Sequence, residues 1–298
     1  MQDFNEYLKE KKEIFEKRLF EIFDVVTENS PEILKKSMRY SLEAGGKRLR
    51  PILTYSVSEA LGGNLHDALT IGCAIEFIHT YSLIHDDLPA MDNDDYRRGR
   101  LTNHKVFGEA VAILAGDALL TDAFFILSNS DFYEEISKEK QLKIIEIISK
   151  AVGSTGMVAG QVLDIIFENK FFTKDEVDKI HQNKTAKLIE ASCLSGAIIS
   201  TNDSMKIEKI RNFGFKIGLS FQIVDDLLDV IGDEKSLGKK VGKDMEKGKA
   251  TYPACMGVEK SKEIAEKLVS EAKKEIEFLG EKGKILSSIA DFFVKRVS

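Results

Sequence analysis

IGCAIEFIHTYSLIHDDLPAMD, residues Ile71–Asp92, sets the reading of the whole chain. From Ile71 to Ile84 its apolar residues recur at helical spacing, and the aspartates Asp86, Asp87 and Asp92 close it. A second stretch, FGFKIGLSFQIVDDLLD, residues Phe213–Asp229, repeats the design with Asp225, Asp226 and Asp229. Each stretch puts three carboxylates near the C-terminal end of a helix, where the macrodipole is already negative. Adjacent carboxylates also repel one another. A cation is the natural remedy, and magnesium is typically held by one or two carboxylates together with substrate phosphates. Two such clusters are suited to grip one diphosphate from both sides.

The two clusters differ in geometry. Residues i and i+4 share a helix face, so Asp225 and Asp229 stack one turn apart with Asp226 alongside. In the first cluster Pro89 disfavours helical geometry at Leu88, so the helix stops there. The chain must then bend to bring Asp92 back toward Asp86.

Working outward, further helices follow from periodicity and punctuation. Phe4, Leu8, Phe15, Leu19, Ile22, Phe23 and Val26 recur at three- and four-residue steps up to Asn29-Ser30-Pro31. Others are expected from about Pro31 to Gly45, Pro51 to Gly62, Asp67 to Leu88, Glu109 to Leu127, Ser137 to Ala151 and Gly156 to Glu168. The last are Lys174 to Ser200, Met205 to Ile231 and Tyr252 to the C-terminus, with a break near Gly280–Gly283. No strand-period run stands out. The fold class is all-α, a bundle of ten or more helices.

Composition agrees. Of 298 residues, 43% are hydrophobic, enough for a sizeable core, and only 4 prolines interrupt the helices. No linker or low-complexity segment is visible, so one domain over residues 1–298 is expected. The net charge of −6 disfavours nucleic acid or an anionic membrane as partner. The three cysteines, Cys73, Cys193 and Cys255, are odd in number and form no CxxC pair, so neither zinc nor a disulfide framework is expected. The N-terminus MQDFNEYLKEKKEIF is charged where a signal peptide is apolar. No run of about 18 apolar residues is read, so no membrane span is expected, and the location expected is the cytoplasm.

Basic groups accompany the aspartates. Gly45-Gly46-Lys47-Arg48-Leu49-Arg50-Pro51 is a glycine-loosened turn ahead of a helix, whose N-terminal amides favour anions, and arginine forks onto phosphate oxygens. Arg97-Arg98-Gly99-Arg100 follows the first cluster, and His79 lies seven residues before Asp86. Lys184, Thr185, Gln222, Gln161 and Asp164 are polar residues in otherwise apolar helices. Gly232 to Lys249 is rich in glycine and lysine, and is suited to fold over a phosphate site as a lid.

Taken together, GGKRLRP, IHTYSLIHDDLPAMDNDDYRRG, FGEAVAILAGDALL, GMVAGQVLD, KTAKLI, FQIVDDLLD and GKDMEKGKATYP resemble the trans-isoprenyl diphosphate synthases along nearly the whole chain, the bacterial farnesyl diphosphate synthase branch in particular. The resemblance implies the isoprenoid synthase fold, an all-helical bundle around a central active-site cavity, usually a homodimer. It implies that Asp86, Asp87, Asp92, Asp225, Asp226 and Asp229 bind magnesium, three ions with substrate diphosphate bound. Lys47, Arg50, His79 and Arg98, with Gly46 beside them, match the isopentenyl (homoallylic) diphosphate site. Arg97, Lys184, Lys239 and Lys249 match contacts to the allylic diphosphate, and Thr185 and Gln222 match polar groups near the developing cation.

The implied chemistry suits these residue types. An allylic diphosphate ionises only if its leaving group is neutralised electrostatically, in a site closed to water. Isopentenyl diphosphate then attacks and a proton leaves. Tyr81, five residues before Asp86, lies about 7–8 Å deeper along the helix at 1.5 Å per residue. In the resembling family an aromatic group here, with the insertion Pro89-Ala90, goes with fifteen-carbon products, whereas smaller groups go with longer ones. Farnesyl diphosphate is thus the expected product and geranylgeranyl diphosphate the alternative. A terpene cyclase has no need of the Lys47/Arg50/His79 site, and a non-catalytic subunit of a heteromeric synthase would lose carboxylates that are all present here.

Overall fold

The computed structural model describes residues 3–232 and 242–295. It is helical along most of that length, as expected. The chain divides into two compact units, Met1–Tyr55 with Asn64–Ile145, and Ser56–Gly63 with Glu146–Ser298.

In the first unit, α1 (Phe4–Val26) buries Tyr7, Phe15, Leu19, Ile22 and Phe23. It is followed by α2 (Glu32–Leu42), α3 (Leu49–Leu61) and α4 (Leu65–Asp86). The boundary between the units falls inside α3 and again inside α7 (Lys138–Val152). Apolar nearly all round, α4 is the core helix. It packs against α1 and against α6 (Glu109–Ser128), with Phe77 edge-on to Phe23 at 6.3 Å. Its start is fixed by Asn64, whose side chain accepts from the Asp67 amide at 2.9 Å.

Two small elements in this unit were not legible. Tyr96–Arg97 (β1) and Arg100–Leu101 (β2) pair antiparallel, and Asn103–Phe107 forms the short helix α5. The expectation that no run is long and apolar enough to cross a membrane needs correction. Among the described residues, α6 meets that test by length and composition, with a mean hydropathy of 1.9. Asp117 and Asp122 interrupt the run without lowering its average enough. This helix packs against α2, α4 and α5.

The second unit is built on α11 (Ser204–Ile231), which lies against α10 (Lys187–Ser200) and α14 (Val258–Glu275). Around them stand α8 (Met157–Phe167), α9 (Lys174–His181), α12 (Lys243–Glu246), α13 (Tyr252–Met256) and α15 (Lys284–Val294). The run expected as one helix from Lys174 to Ser200 is instead α9 and α10 joined by a π-helical turn, Gln182–Ala186. Such turns often mark functional sites, and this one carries Lys184 and Thr185. The C-terminal run breaks at Gly280 (φ 55), as read, and also at Gly257 (φ 79). The cysteines are free, with Cys73 and Cys193 buried.

Candidate active site

The first aspartate cluster is held by the first unit. Helix α4 ends at Asp86, and the chain then folds back so that the Asp92 amide donates to the Asp86 carbonyl at 2.8 Å. This is the bend that Pro89 and the Asp86–Asp92 spacing required. Asp86 and Asp92 stay partly accessible, whereas Asp87 is buried. Arg97 grips Asp87 with two nitrogens, Nη2 donating to Oδ1 at 2.6 Å and Nε lying 2.9 Å from both Oδ1 and Oδ2. Burial pushes the Asp87 carboxyl above its ordinary range. Asp94 and Asp92 push the same way, and Arg97 opposes them. Burial also raises the Tyr81 phenol, and Asp86 adds to it, so the Tyr81 hydroxyl lies within the field of the cluster. The Tyr81 ring is buried and edge-on to His85 at 5.5 Å.

The basic turn is anchored by a residue that sequence reading passed over. Arg48 takes a positive φ of 51°. Its guanidinium reaches Glu76 at 2.6 Å, Glu16 at 3.1 Å and the Leu42 carbonyl at 2.5 Å. The side chains of Arg48 and Glu76 are 1% and 3% exposed, so this is an interior ion pair. With Arg48 turned inward, Lys47 lies exposed on the turn. Arg50 Nη1 approaches His79 Nε2 at 3.5 Å.

Arg98 joins this group from the β1–β2 turn. It and Gly99 both have positive φ, 52° and 75°, as a two-residue turn of primed type demands. For an arginine that conformation costs on the order of 1 kcal/mol, and here it delivers the guanidinium onto the Gly45 carbonyl. Gly46 beneath it is favoured by its own φ of 124°, and a Cβ there would stand 2.6 Å from Arg98 Nη1 and push the guanidinium aside. Burial, followed by Arg50, Arg98, Arg97 and Arg48, drives the His79 imidazole well below its ordinary pKa. His79 is therefore neutral, a hydrogen-bonding group in a cationic surround that favours an anion.

The second cluster and its partners belong to the second unit. Gly160 on α8 lets the π turn come close, since a Cβ at that position would overlap the Lys184 backbone. Lys184 and Lys249 converge on buried Asp164, at 2.7 Å and 3.4 Å. Burial opposes the Asp164 charge, but the two lysines outweigh it and hold the carboxyl below its ordinary range. Two residues matched separately to the allylic diphosphate are thus adjacent, and Asp164, only a weak signal in the sequence, joins them.

Thr185 Oγ1 donates to Gln222 Oε1 at 2.6 Å, and Gln222 Nε2 donates to Asp226 Oδ1 at 3.0 Å. Asp226 is buried and also receives the Tyr252 amide at 3.0 Å, and His181 Nε2 lies 3.1 Å from its Oδ2. Asp229 is buried and accepts from the Asp244 amide at 3.0 Å, while Asp225 is partly accessible. Lys239, and the Gly232–Lys249 lid over residues 233–241, lie outside the described residues. Sequence reading also missed His181 and Tyr252. His181 sits just before the quoted KTAKLI and Tyr252 inside GKDMEKGKATYP, but nothing local marks either as a partner of Asp226.

Among the described residues, no three acidic, histidine or cysteine side chains gather tightly enough to cage an ion unaided. The donors on offer are carboxylate oxygens, with Asp86, Asp92 and Asp225 not sealed in the interior. That set fits magnesium, which keeps water and takes part of its coordination from phosphate. It does not suit a soft metal.

The sequence pattern of the polyprenyl synthetase family matches residues 31–287. The chain is 45% identical over 292 residues to the farnesyl diphosphate synthase of Bacillus subtilis (strain 168), covering 97% of each protein. Its fold matches the crystal structure of geranylgeranyl pyrophosphate synthetase from Pyrococcus horikoshii Ot3, with a TM-score of 0.89 and 33% identity over 99% of this chain and 100% of that one. It also matches a geranyltransferase from Helicobacter pylori complexed with magnesium and isoprenyl diphosphate, with a TM-score of 0.79 and 32% identity over 95% and 96% of the two chains. Matched across most of its length in sequence and in fold, the chain belongs to the polyprenyl synthetase family.

Proposed function

We propose that the chain is a prenyltransferase that condenses isopentenyl diphosphate with dimethylallyl and then geranyl diphosphate to give farnesyl diphosphate. The observation that carries this reading is the pairing of two intact aspartate clusters with a separate cationic site around His79, Arg50 and Arg98. A cyclase needs only the clusters, and a non-catalytic subunit needs neither intact. Bound magnesium, three ions in the loaded site, supplies charge that neutralises the diphosphate leaving group. Asp86 and Asp92 in the first unit, and Asp225 and Asp229 in the second, are the carboxylates that would hold it. Lys184 and Lys249, poised by Asp164, steady the allylic diphosphate together with Lys239. Lys47, Arg50, Arg98 and neutral His79 orient isopentenyl diphosphate.

The fit of Asp87 and Asp226 is different. Each is engaged inside its own unit, Asp87 by Arg97 and Asp226 by Gln222, the Tyr252 amide and the nearby His181 ring. They support the ligands rather than serve as the ions' main contacts. The two units act as one polyprenyl synthase domain. The enzyme works in the cytoplasm as a homodimer. Exposed apolar side chains on α6 (Ile113, Leu114, Phe125) and on α8 (Val158, Val162, Ile165) support the dimer.

The two diphosphates separate by variant. Lys47→Ala and Arg50→Ala should raise the KM for isopentenyl diphosphate about tenfold or more, the scale of a lost charge-assisted contact, with the allylic KM little changed. Lys184→Ala should do the reverse. Steady-state kinetics with each substrate varied checks this, and equal effects on both substrates in all three variants contradict the assignment.

Chain length is assigned to Tyr81. Its buried ring beneath Asp86 favours a fifteen-carbon limit, whereas the Pyrococcus horikoshii relative is named for a twenty-carbon product. Tyr81→Ala should shift products to twenty carbons or more, read by chromatography. An unchanged product places the floor elsewhere.

A further inference from the structure

The hydrogen bonds around Asp226 have a fixed direction. Asp226 as a carboxylate can only accept. Its Oδ1 takes Gln222 Nε2 and its Oδ2 takes the Tyr252 amide, with His181 Nε2 lying 3.1 Å from Oδ2. The Gln222 amide is therefore oriented with its NH₂ toward Asp226 and its oxygen toward Thr185. Thr185 must then donate its hydroxyl proton to Gln222. The lone pairs of the Thr185 oxygen are left facing away from the row. Reversing the Gln222 amide would reverse Thr185 as well, and would aim a proton where the lone pairs now point.

What locks Asp226 is a brace from α9 and α13. His181 closes α9, and its ring stacks on Tyr252 with centroids 5.3 Å apart and planes 24° apart. The Tyr252 hydroxyl bonds Asp178, one turn earlier on α9, and Lys174 lies over the same ring at 5.6 Å. The start of α9 is itself fixed by a capping box between Thr173 and Glu176. His181 Nδ1 is buried and has no partner, so the ring's close polar contact is that of Nε2 with Asp226 at 3.1 Å. None of these brace residues was among those matched to the substrates.

We propose that His181 and Tyr252 are positioning residues that hold Asp226 as an acceptor, and through Gln222 fix the Thr185 oxygen with its lone pairs toward the allylic cation. This rests on the prenyl-transfer reading above. In this account Asp226 orients the row and is not itself a metal contact. The step served is the loss of diphosphate from the allylic carbon, in which the carbon–oxygen bond breaks and its electron pair leaves with the diphosphate. The Thr185 oxygen dipole stabilises the positive carbon that remains.

The test uses the full-length protein. His181→Leu removes the donor, and His181→Gln restores an N–H near the same place. Removing such a supporting partner costs about 10- to 100-fold. His181→Leu should lower kcat by that amount with the KM for isopentenyl diphosphate within about twofold, and His181→Gln should recover most of it. Mn²⁺ binding in the presence of inorganic diphosphate should be unchanged in both. In ¹⁵N-labelled protein the Gln222 side-chain amide, assigned through Gln222→Leu, should shift and exchange faster in His181→Leu and return in His181→Gln.

The proposal is overturned if kcat in His181→Leu stays within twofold, if Mn²⁺ affinity falls in parallel with kcat, or if the Gln222 signals do not move. Should His181→Leu fail to fold, Tyr252→Phe carries the test. It keeps the main-chain donor but frees the ring, with kcat expected to drop about three- to tenfold and the Gln222 signals to broaden; no change in either refutes the brace. A parent protein without prenyl-transfer turnover would defeat the functional reading, and the Gln222 signals would still decide the brace.

Discussion

Asp86→Ala and Asp225→Ala are each expected to slow turnover by about three orders of magnitude or more while leaving the protein folded. The expected size follows from the charge involved. Neutralising a diphosphate leaving group is worth several kcal/mol, and about 4 kcal/mol is a thousandfold in rate. Neither carboxylate is sealed in the interior, and neither is needed to complete a helix. Asp86 is the last residue of α4, so its removal relieves roughly 0.3–1 kcal/mol of repulsion with the helix dipole, whereas Asp225 lies more than a turn before the end of α11 and gains no such relief. Melting temperatures should therefore stay level or rise slightly. Asp87→Ala should behave differently. It strips the buried fork from Arg97, and so costs about 1–3 kcal/mol of stability. Turnover measurements paired with thermal unfolding separate these effects. Near-normal turnover in either Asp86→Ala or Asp225→Ala removes the metal-holding role from that cluster.

Arg48→Ala should be the most destabilising single change in the basic turn, at about 3–5 kcal/mol, because it leaves Glu76 charged in the interior with no partner. Glu16 and the Leu42 carbonyl lose their donor at the same time. The same reasoning gives an internal control. Replacing both members of a buried pair with well-packed apolar groups is often neutral, so Arg48→Met with Glu76→Met should recover much of the loss. Denaturant midpoints of the two single variants and the double variant test this. If the double variant is as unstable as the sum of the singles, the pair is not the reason Arg48 matters. By contrast, Lys47→Ala, three atoms of backbone away but pointing outward, should leave stability unchanged.

The sequence was most legible where a local rule forced the outcome. Pro89 ended α4 within two residues of the place it dictated, and the six-residue spacing of Asp86 and Asp92 demanded the turn that the Asp92 amide now closes. The run from Ile71 to Ile84, apolar at helical spacing around Glu76 and His79, read as a core helix. The π turn at Gln182–Ala186 was not legible, because periodicity before and after it is ordinary and one extra residue per turn leaves no compositional trace. The hairpin at Tyr96–Leu101 was missed because its turn is Arg-Gly rather than Asn-Gly, with Arg98 accepting a conformation that its side chain does not favour. Within the candidate site, charge and motif pointed to the residues proposed to bind substrate and metal. The partners that aim them, Arg48 onto Glu76 and His181 onto Asp226, are separated by 28 and 45 positions, and only the fold brings them together.

The most direct measurement is product analysis of the purified chain given dimethylallyl and isopentenyl diphosphates, with magnesium and with excess chelator. The account predicts farnesyl diphosphate as the main product with magnesium and no condensation in chelator. Condensation that persists in chelator, a cyclised product, or no product from the folded chain with magnesium present would contradict it.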